Sequence, residues 1–172
     1  GMTQVEKIPV GINLHRIEAD KYGKLWVTSR GNYGSVRSKM FVLERENKFS
    51  HKMVVTDTLD IPCSEMCIQG DSLYFYSVEW NNQEERNNIT YGIIDVRTRE
   101  LLTDHFITDG TEDDIEIPYG INVNPVNGDI YVTDAKNYVS SGALHCYSSE
   151  GKKKWSVRAG DIPAHMGFLS KK

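Results

Sequence analysis

The chain has no uninterrupted apolar stretch longer than five residues, far short of the roughly 20 that a bilayer-spanning helix needs. No transmembrane segment is therefore expected. It also lacks a long helical period, a GxSxG or HExxH signature, and any Ser or Cys set beside a base, so no catalytic residue is nominated. Cofactor motifs are absent as well. Positive charge is not concentrated: the 20 Lys and Arg residues are spread along the chain against 24 Asp and Glu, apart from a KKK run at 152 to 154. A net charge of -4 without a basic patch argues against a nucleic-acid partner.

Cysteine is scarce, and the three present, Cys63, Cys67 and Cys146, cannot all pair within one chain. Cys63 and Cys67 are four residues apart in an extended run, about 13 Å at the usual strand rise and too far for a mutual disulfide. Buried, reduced thiols are expected. There is no CxxC pair and no His at ligand spacing, so no metal site is expected either. Gly1 stands ahead of Met2, which reads as a remnant of tag removal, so the natural N-terminus is expected to be missing and the compartment stays open.

What the chain does have is a repeat. Of its five prolines, four follow isoleucine, at Pro9, Pro62, Pro118 and Pro163. The spacings are 53, 56 and 45 residues (62 minus 9, 118 minus 62, 163 minus 118), near the period of propeller blades. After IPVGINL comes a turn and KLWVTS; after IPCSEMCI comes QGD and SLYFYS; after IPYGINV comes NPVNGD and IYVTDA. Each unit then adds two further apolar runs, giving four strands, A to D. In strand A, Ile8, Val10, Ile12 and Leu14 share one face, as do Ile117, Tyr119, Ile121 and Val123.

These patterns predict an all-β chain: a β-propeller fragment of three four-stranded antiparallel blades, at about 8–57, 60–110 and 116–160. An extra inner strand at 162–169 is expected to close a ring, flanked by a lead-in at 1–7 and a tail at 170–172. Three blades leave two apolar faces open, so association of copies through those faces, or a missing N-terminal half, is expected.

Strand direction alternates, so the B-to-C and D-to-A connections emerge at one end of the blades. Those connections are the longer ones, and long loops on a rigid scaffold are where binding groups gather. They carry Arg30, Asn32, Tyr33, Trp80, Asn81, Asn82, Arg86, Lys136, Asn137 and Tyr138, with Tyr119 and His165 on the inner strands beside them. Amides, guanidinium groups and flat aromatics suit a polar ligand such as a sugar or an amide-decorated macrocycle. The alternative role for each residue is local: Asn and Gly shaping turns, Tyr packing beneath a loop. Glu65 falls where its counterparts are apolar, and a bulge that slips Met66 and Ile68 inward is the expected remedy. The acidic run Glu112, Asp113, Asp114, Glu116 is expected to be a solvated loop rather than a calcium site.

The stretch IPYGINVNPVNGDIYVTDAKNYVSSGALHCYSSEGKKKWSVRAGDIPAHMGFL resembles the C-terminal end of the YncE-like, surface-layer-type propellers of Bacteroidetes. The resemblance spans 117 to 169 and is looser over the first two blades. It implies a partial seven-bladed ring and a cell-surface, outer-membrane setting. It also implies a non-enzymatic ligand-binding role, since some such lipoproteins capture vitamin B12 and related corrinoids for a TonB-dependent transporter. A protein-interaction scaffold is the second reading. The repeat is also similar to that of metal-dependent lactonases and NHL-type propellers. The lactonases place an oxygen ligand after the proline, where this chain has Val10, Cys63, Tyr119 and Ala164.

Overall fold

Apolar and aromatic residues spaced two apart, with Gly, Asn and Asp between the runs, favour short strands joined by tight turns. The computed structural model describes residues 7–32 and 35–169. Their strands form three four-stranded antiparallel sheets, each hydrogen-bonded in chain order. Sheet 1 holds β1 (Leu14–Ala19), β2 (Leu25–Ser29), β3 (Lys39–Arg45) and β4 (Met53–Leu59). Sheet 2 holds β5 (Glu65–Gln69), β6 (Ser72–Asn81), β7 (Arg86–Asp95) and β8 (Leu101–Thr103). Sheet 3 holds β9 (Pro118–Val123), β10 (Ile130–Asp134), β11 (Ala143–Tyr147) and β12 (Lys153–Arg158). Among the described residues the one helical element is a 3-10 turn, Thr111–Asp114. The chain is thus all-β and built of propeller-type four-stranded blades. No helix among the described residues is long and apolar enough to cross a membrane.

The chain divides into two compact units, Gly1–Ser64 and Glu65–Lys172. In the first, Trp26 on β2 is wholly buried, and its indole N–H donates to Asp20 Oδ2 at 3.1 Å. Asp20 Oδ1 accepts the backbone N–H groups of Tyr22 and Lys24, both at 2.9 Å, which closes the β1–β2 turn. One side chain therefore serves the turn and the core together.

The inner strand of this blade differs from expectation. It begins at Leu14, and residues 8–12 are not a strand. Gly11 (φ 117°) and Asn13 (φ 54°) turn the backbone out of the extended region, and Pro9 has no N–H to give a ladder. The segment laps over a face of sheet 1 instead, where Val10 packs with Val27 and Leu43 and Ile8 lies against them. Ile12 and Leu14, expected to share one face with Val10, are about half exposed while Val10 is buried.

In the second unit, sheets 2 and 3 pack face to face. Cys67, Tyr76 and Tyr91 of sheet 2 meet Ile121, Val123, Ile130, Val132 and Tyr147 of sheet 3 in one cluster. Phe106, Ile107 and Ile115, from the segment joining the sheets, complete it. Tyr91 and Phe106 meet edge to face, centroids 5.7 Å apart. The seam is latched at the β11–β12 turn: Thr108 N–H donates to Gly151 O at 2.9 Å and Thr108 Oγ1 to Glu150 O at 2.8 Å. Strand D of this blade ends at Thr103, after which a bridge between Tyr91 and His105 continues.

Two further expectations are corrected here. The β5–β6 register runs unbroken from Glu65 opposite Tyr76 to Gln69 opposite Ser72, so no bulge slips Met66 and Ile68 inward. Glu65 is simply buried, with its Oε1 accepting the Met66 N–H at 3.1 Å. Residues 162–169 form no strand. Ile162 has φ 50°, and the segment crosses the outer face of sheet 3, with Asn122 Nδ2 donating to Met166 O at 2.9 Å and Phe168 edge-on to Tyr131. It pairs with no strand among the described residues and is held by that hydrogen bond and by packing. Gly120 makes room: a Cβ there would stand 2.3 Å from Ala164 O.

In all three sheets the third and fourth strands pair with a register shift, at Val42/Leu43, Ile93/Ile94 and Cys146/Tyr147. The three cysteines are buried and form no disulfide.

Candidate functional site

Within the second unit, the long connections build two cavities at one end of the blades, on either side of the 3-10 turn. The position of that turn is set by charge and hydrogen bonding. Asp109 accepts the Lys153 N–H at 2.7 Å, Asp114 is bonded to the Lys153 ammonium, and Glu112 meets His105 Nε2 at 3.1 Å. The acidic run is therefore folded against basic partners. No group of three or more His, Cys, Asp or Glu among the described residues is placed to hold a metal ion.

The first cavity, about 400 Å³, is walled by Arg86–Ile89 and Tyr91 of β7 and by Glu112, Asp113 and Ile115. Burial holds the Tyr91 phenol protonated far above the usual range. Arg86, a nominated residue, lies at its edge and pairs with Glu84 at 2.6 Å.

The second cavity, about 500 Å³, lies between Asp114, the β10–β11 connection (Lys136 and Ser140–Gly142) and the paired strands β11 and β12 (Ala143, His145, Ser156–Arg158). Asp134, at the end of β10, is fully buried and organises this corner: Oδ1 accepts N–H groups of Ile117 and Lys136 at 2.9 and 2.8 Å, and Oδ2 that of Glu116 at 3.2 Å. The connection is held in an unusual backbone, with Lys136 at φ 49° and Tyr138 at φ 62°. Such left-handed non-glycine residues cost of order 1 kcal/mol or more each and persist where surrounding bonds impose them. Asn137 supplies such bonds, its Oδ1 accepting from Val139 N, Ser140 N and Ser140 Oγ.

His145 is 4% exposed, and its Nδ1 lies 3.2 Å from Ser156 Oγ, directly opposite in the ladder. Its Nε2 is buried and has no hydrogen-bond partner. Burial above all, then Lys153, lowers its pKa below 6.5, against the pull of Asp134 and Asp114. The unfolded chain therefore takes up this proton first as pH falls, and the stability present above about pH 6.5 is lost as the pH drops through the lower, folded value. His145→Gln is expected to flatten the fall in melting temperature between about pH 7.5 and about pH 5. An identical slope in both proteins would assign the effect to other groups.

The structure separates the nominated residues. Lys136 lines the second cavity and Arg86 the first. Tyr119 and Tyr138 meet edge to face, centroids 5.9 Å apart, with Tyr138 half exposed. Trp80 is exposed on the long β6–β7 hairpin and lines neither cavity. Asn82 is exposed on the same hairpin, and His165 is exposed on the C-terminal segment. Three amides shape their own turns: Asn32 Oδ1 accepts Val36 N–H at 2.8 Å, Asn81 Oδ1 accepts Gln83 N–H at 2.9 Å, and Asn137 acts as above. Arg30 and Asn32 belong to the first unit, and Tyr33 lies outside the described residues.

Sequence reasoning missed His145, Ser156 and Arg158. A signal was available, because Ala143, His145 and Tyr147 occupy one face of β11, so alternation alone puts an imidazole on the inward side. No family model matches the chain, and no curated protein is similar to it at a significant level.

Proposed function

We propose that this chain is a non-enzymatic, ligand-binding propeller segment of a surface-associated protein, with a corrinoid as the most specific candidate. The supporting observation is the cavity of about 500 Å³ beside Lys136, at the end where the long connections gather. Its size lies in the range of small-molecule sites, and its lining mixes apolar surface with a few polar groups. Tyr138, on the same connection though not in the cavity lining, meets Tyr119 of β9 edge to face and offers flat aromatic surface two residues from Lys136. Binding is favoured over catalysis because the Ser156–His145 contact has no carboxylate on Nε2 to orient the ring. The corrinoid, the transporter and the surface location rest on the resemblance of residues 117 to 169 alone.

Calorimetry with cobalamin tests this reading. Saturable heat is expected, and Tyr138→Ala should weaken binding by about tenfold while leaving the folded blades intact. Trp80→Ala, outside both cavities, separates a hairpin-borne site from a cavity-borne one. Absence of both heat and thermal shift would remove the corrinoid.

A second reading, an interaction scaffold that pairs with further copies, is favoured by the outer face of sheet 3. There Trp155 (40%), Val157 (51%) and Phe168 (38%) stay exposed on or beside that sheet. Concentration-dependent self-association is expected in sedimentation. A compact monomer at every concentration would overturn it.

A further inference from the structure

We infer that the second cavity is a subsite for an oxyanion, a phosphate or carboxylate group carried by a small ligand. The inference rests on reading this end of the blades as a binding face, and it adds the charge of what is bound. Lys136 and Arg158 line the cavity, and neither has an acidic partner among the described residues. Asp114 is the one acid in the wall, and the Lys153 ammonium neutralises it. Asp134, buried behind the Lys136 backbone, adds one further carboxylate, whose oxygens accept three backbone N–H groups, so Lys136, Arg158 and Lys153 against Asp114 and Asp134 leave this corner with a net positive charge that favours an anion.

The cations are positioned rather than loose. Arg158 Nη2 donates to Ser141 Oγ at 2.7 Å, which fixes one corner of the guanidinium and leaves the rest of its donor fork for a planar or tetrahedral anion. Lys136 is half-buried, and its backbone is locked by Asp134 into the left-handed conformation described above. Between them, the Ser156 hydroxyl faces His145 Nδ1. When Nδ1 carries the proton and donates to Ser156 Oγ, the hydroxyl keeps its own proton and is free to donate a hydrogen bond to a ligand oxygen. An oxyanion would thus meet a fork, an ammonium and a hydroxyl, and would need no change in the β11–β12 ladder.

The test is titration of the full chain with inorganic phosphate, and separately with acetate, at constant ionic strength, followed by backbone amide NMR. Saturating shifts are expected over residues 136–143 and 156–158, with the two anions showing whether the subsite prefers the tetrahedral or the planar group. Lys136→Gln and Arg158→Gln should each weaken the response by about tenfold, whereas Arg158→Lys should retain part of it. Uniform, non-saturating shifts with both anions, or an unchanged response in both glutamine variants, would overturn the subsite. Amide spectra of the variants report folding independently of binding. Cobalamin heat without any anion response would overturn this inference and spare the corrinoid reading; a saturable anion response with no cobalamin heat would do the reverse.

Discussion

Gly151→Ala is expected to destabilise the second unit by about 3 kcal/mol or more, the sum of a strained backbone and a steric clash. Gly151 has φ 79°, in the left-handed region, which alone costs an alanine about 1 kcal/mol. A Cβ there would stand 1.7 Å from Phe106 O and 2.9 Å from its carbonyl carbon, so the turn must withdraw from the segment that follows sheet 2. Withdrawal stretches both Thr108 bonds to Glu150 and Gly151, each worth about 1 kcal/mol. Gly128→Ala is the control: its φ is 75°, but its nearest neighbour, Ser149 Cβ, is 3.5 Å away. Urea unfolding of the two variants should therefore differ by about 2 kcal/mol, and equal losses would show that the seam tolerates opening at this point.

Trp26→Ala is expected to cost about 4 kcal/mol, at the upper part of the range for large core truncations. The indole is wholly buried at the centre of sheet 1, flanked on the same strand by the buried Val27 and Thr28. Loss of its N–H does not orphan Asp20, which keeps the Tyr22 and Lys24 amides, so the penalty is one of packing and cavity. Trp26→Phe, which retains most of the volume and loses the bond to Asp20, should cost about half as much. Circular dichroism in urea measures both. A loss below about 1 kcal/mol for the alanine variant would mean that the site collapses around the missing ring.

The cassette of four strands was legible because the inner hairpins restate one pattern, and in β9 and β10 alternation matches burial at Ile121, Val123, Ile130 and Val132, whereas Pro118, Gly120 and Thr133 are buried against it and Tyr119 is not. In the first blade the same IP opening misled. The apolar alternation of residues 8–14 carries no information about the positive φ at Gly11 and Asn13, which move the strand start to Leu14. The amides were ambiguous for a related reason, since Asn81 and Asn137 close turns with the same oxygen a ligand would have used. The second cavity was only partly visible. Lys136 is on a long loop and was nominated, and alternation in β11 places His145 inward, but Ser156 and Arg158 reach the cavity through the β11–β12 register and Asp114 through a 3-10 turn, neither of which has a period to read.

The recurring slip between the last two strands of each blade bears on how these molecules behave in a crowded solution. A flat, regular outer rim would offer unpaired amides and carbonyls to any passing extended chain, the first step toward fibres. Here each rim is twisted by an irregular residue. One is also cut to three residues at β8, and another carries Lys153, Lys154 and Arg158 along β12. The geometry that fixes the blades thereby discourages uncontrolled polymerisation, and leaves association to surfaces where side chains, rather than bare backbone, select the neighbour.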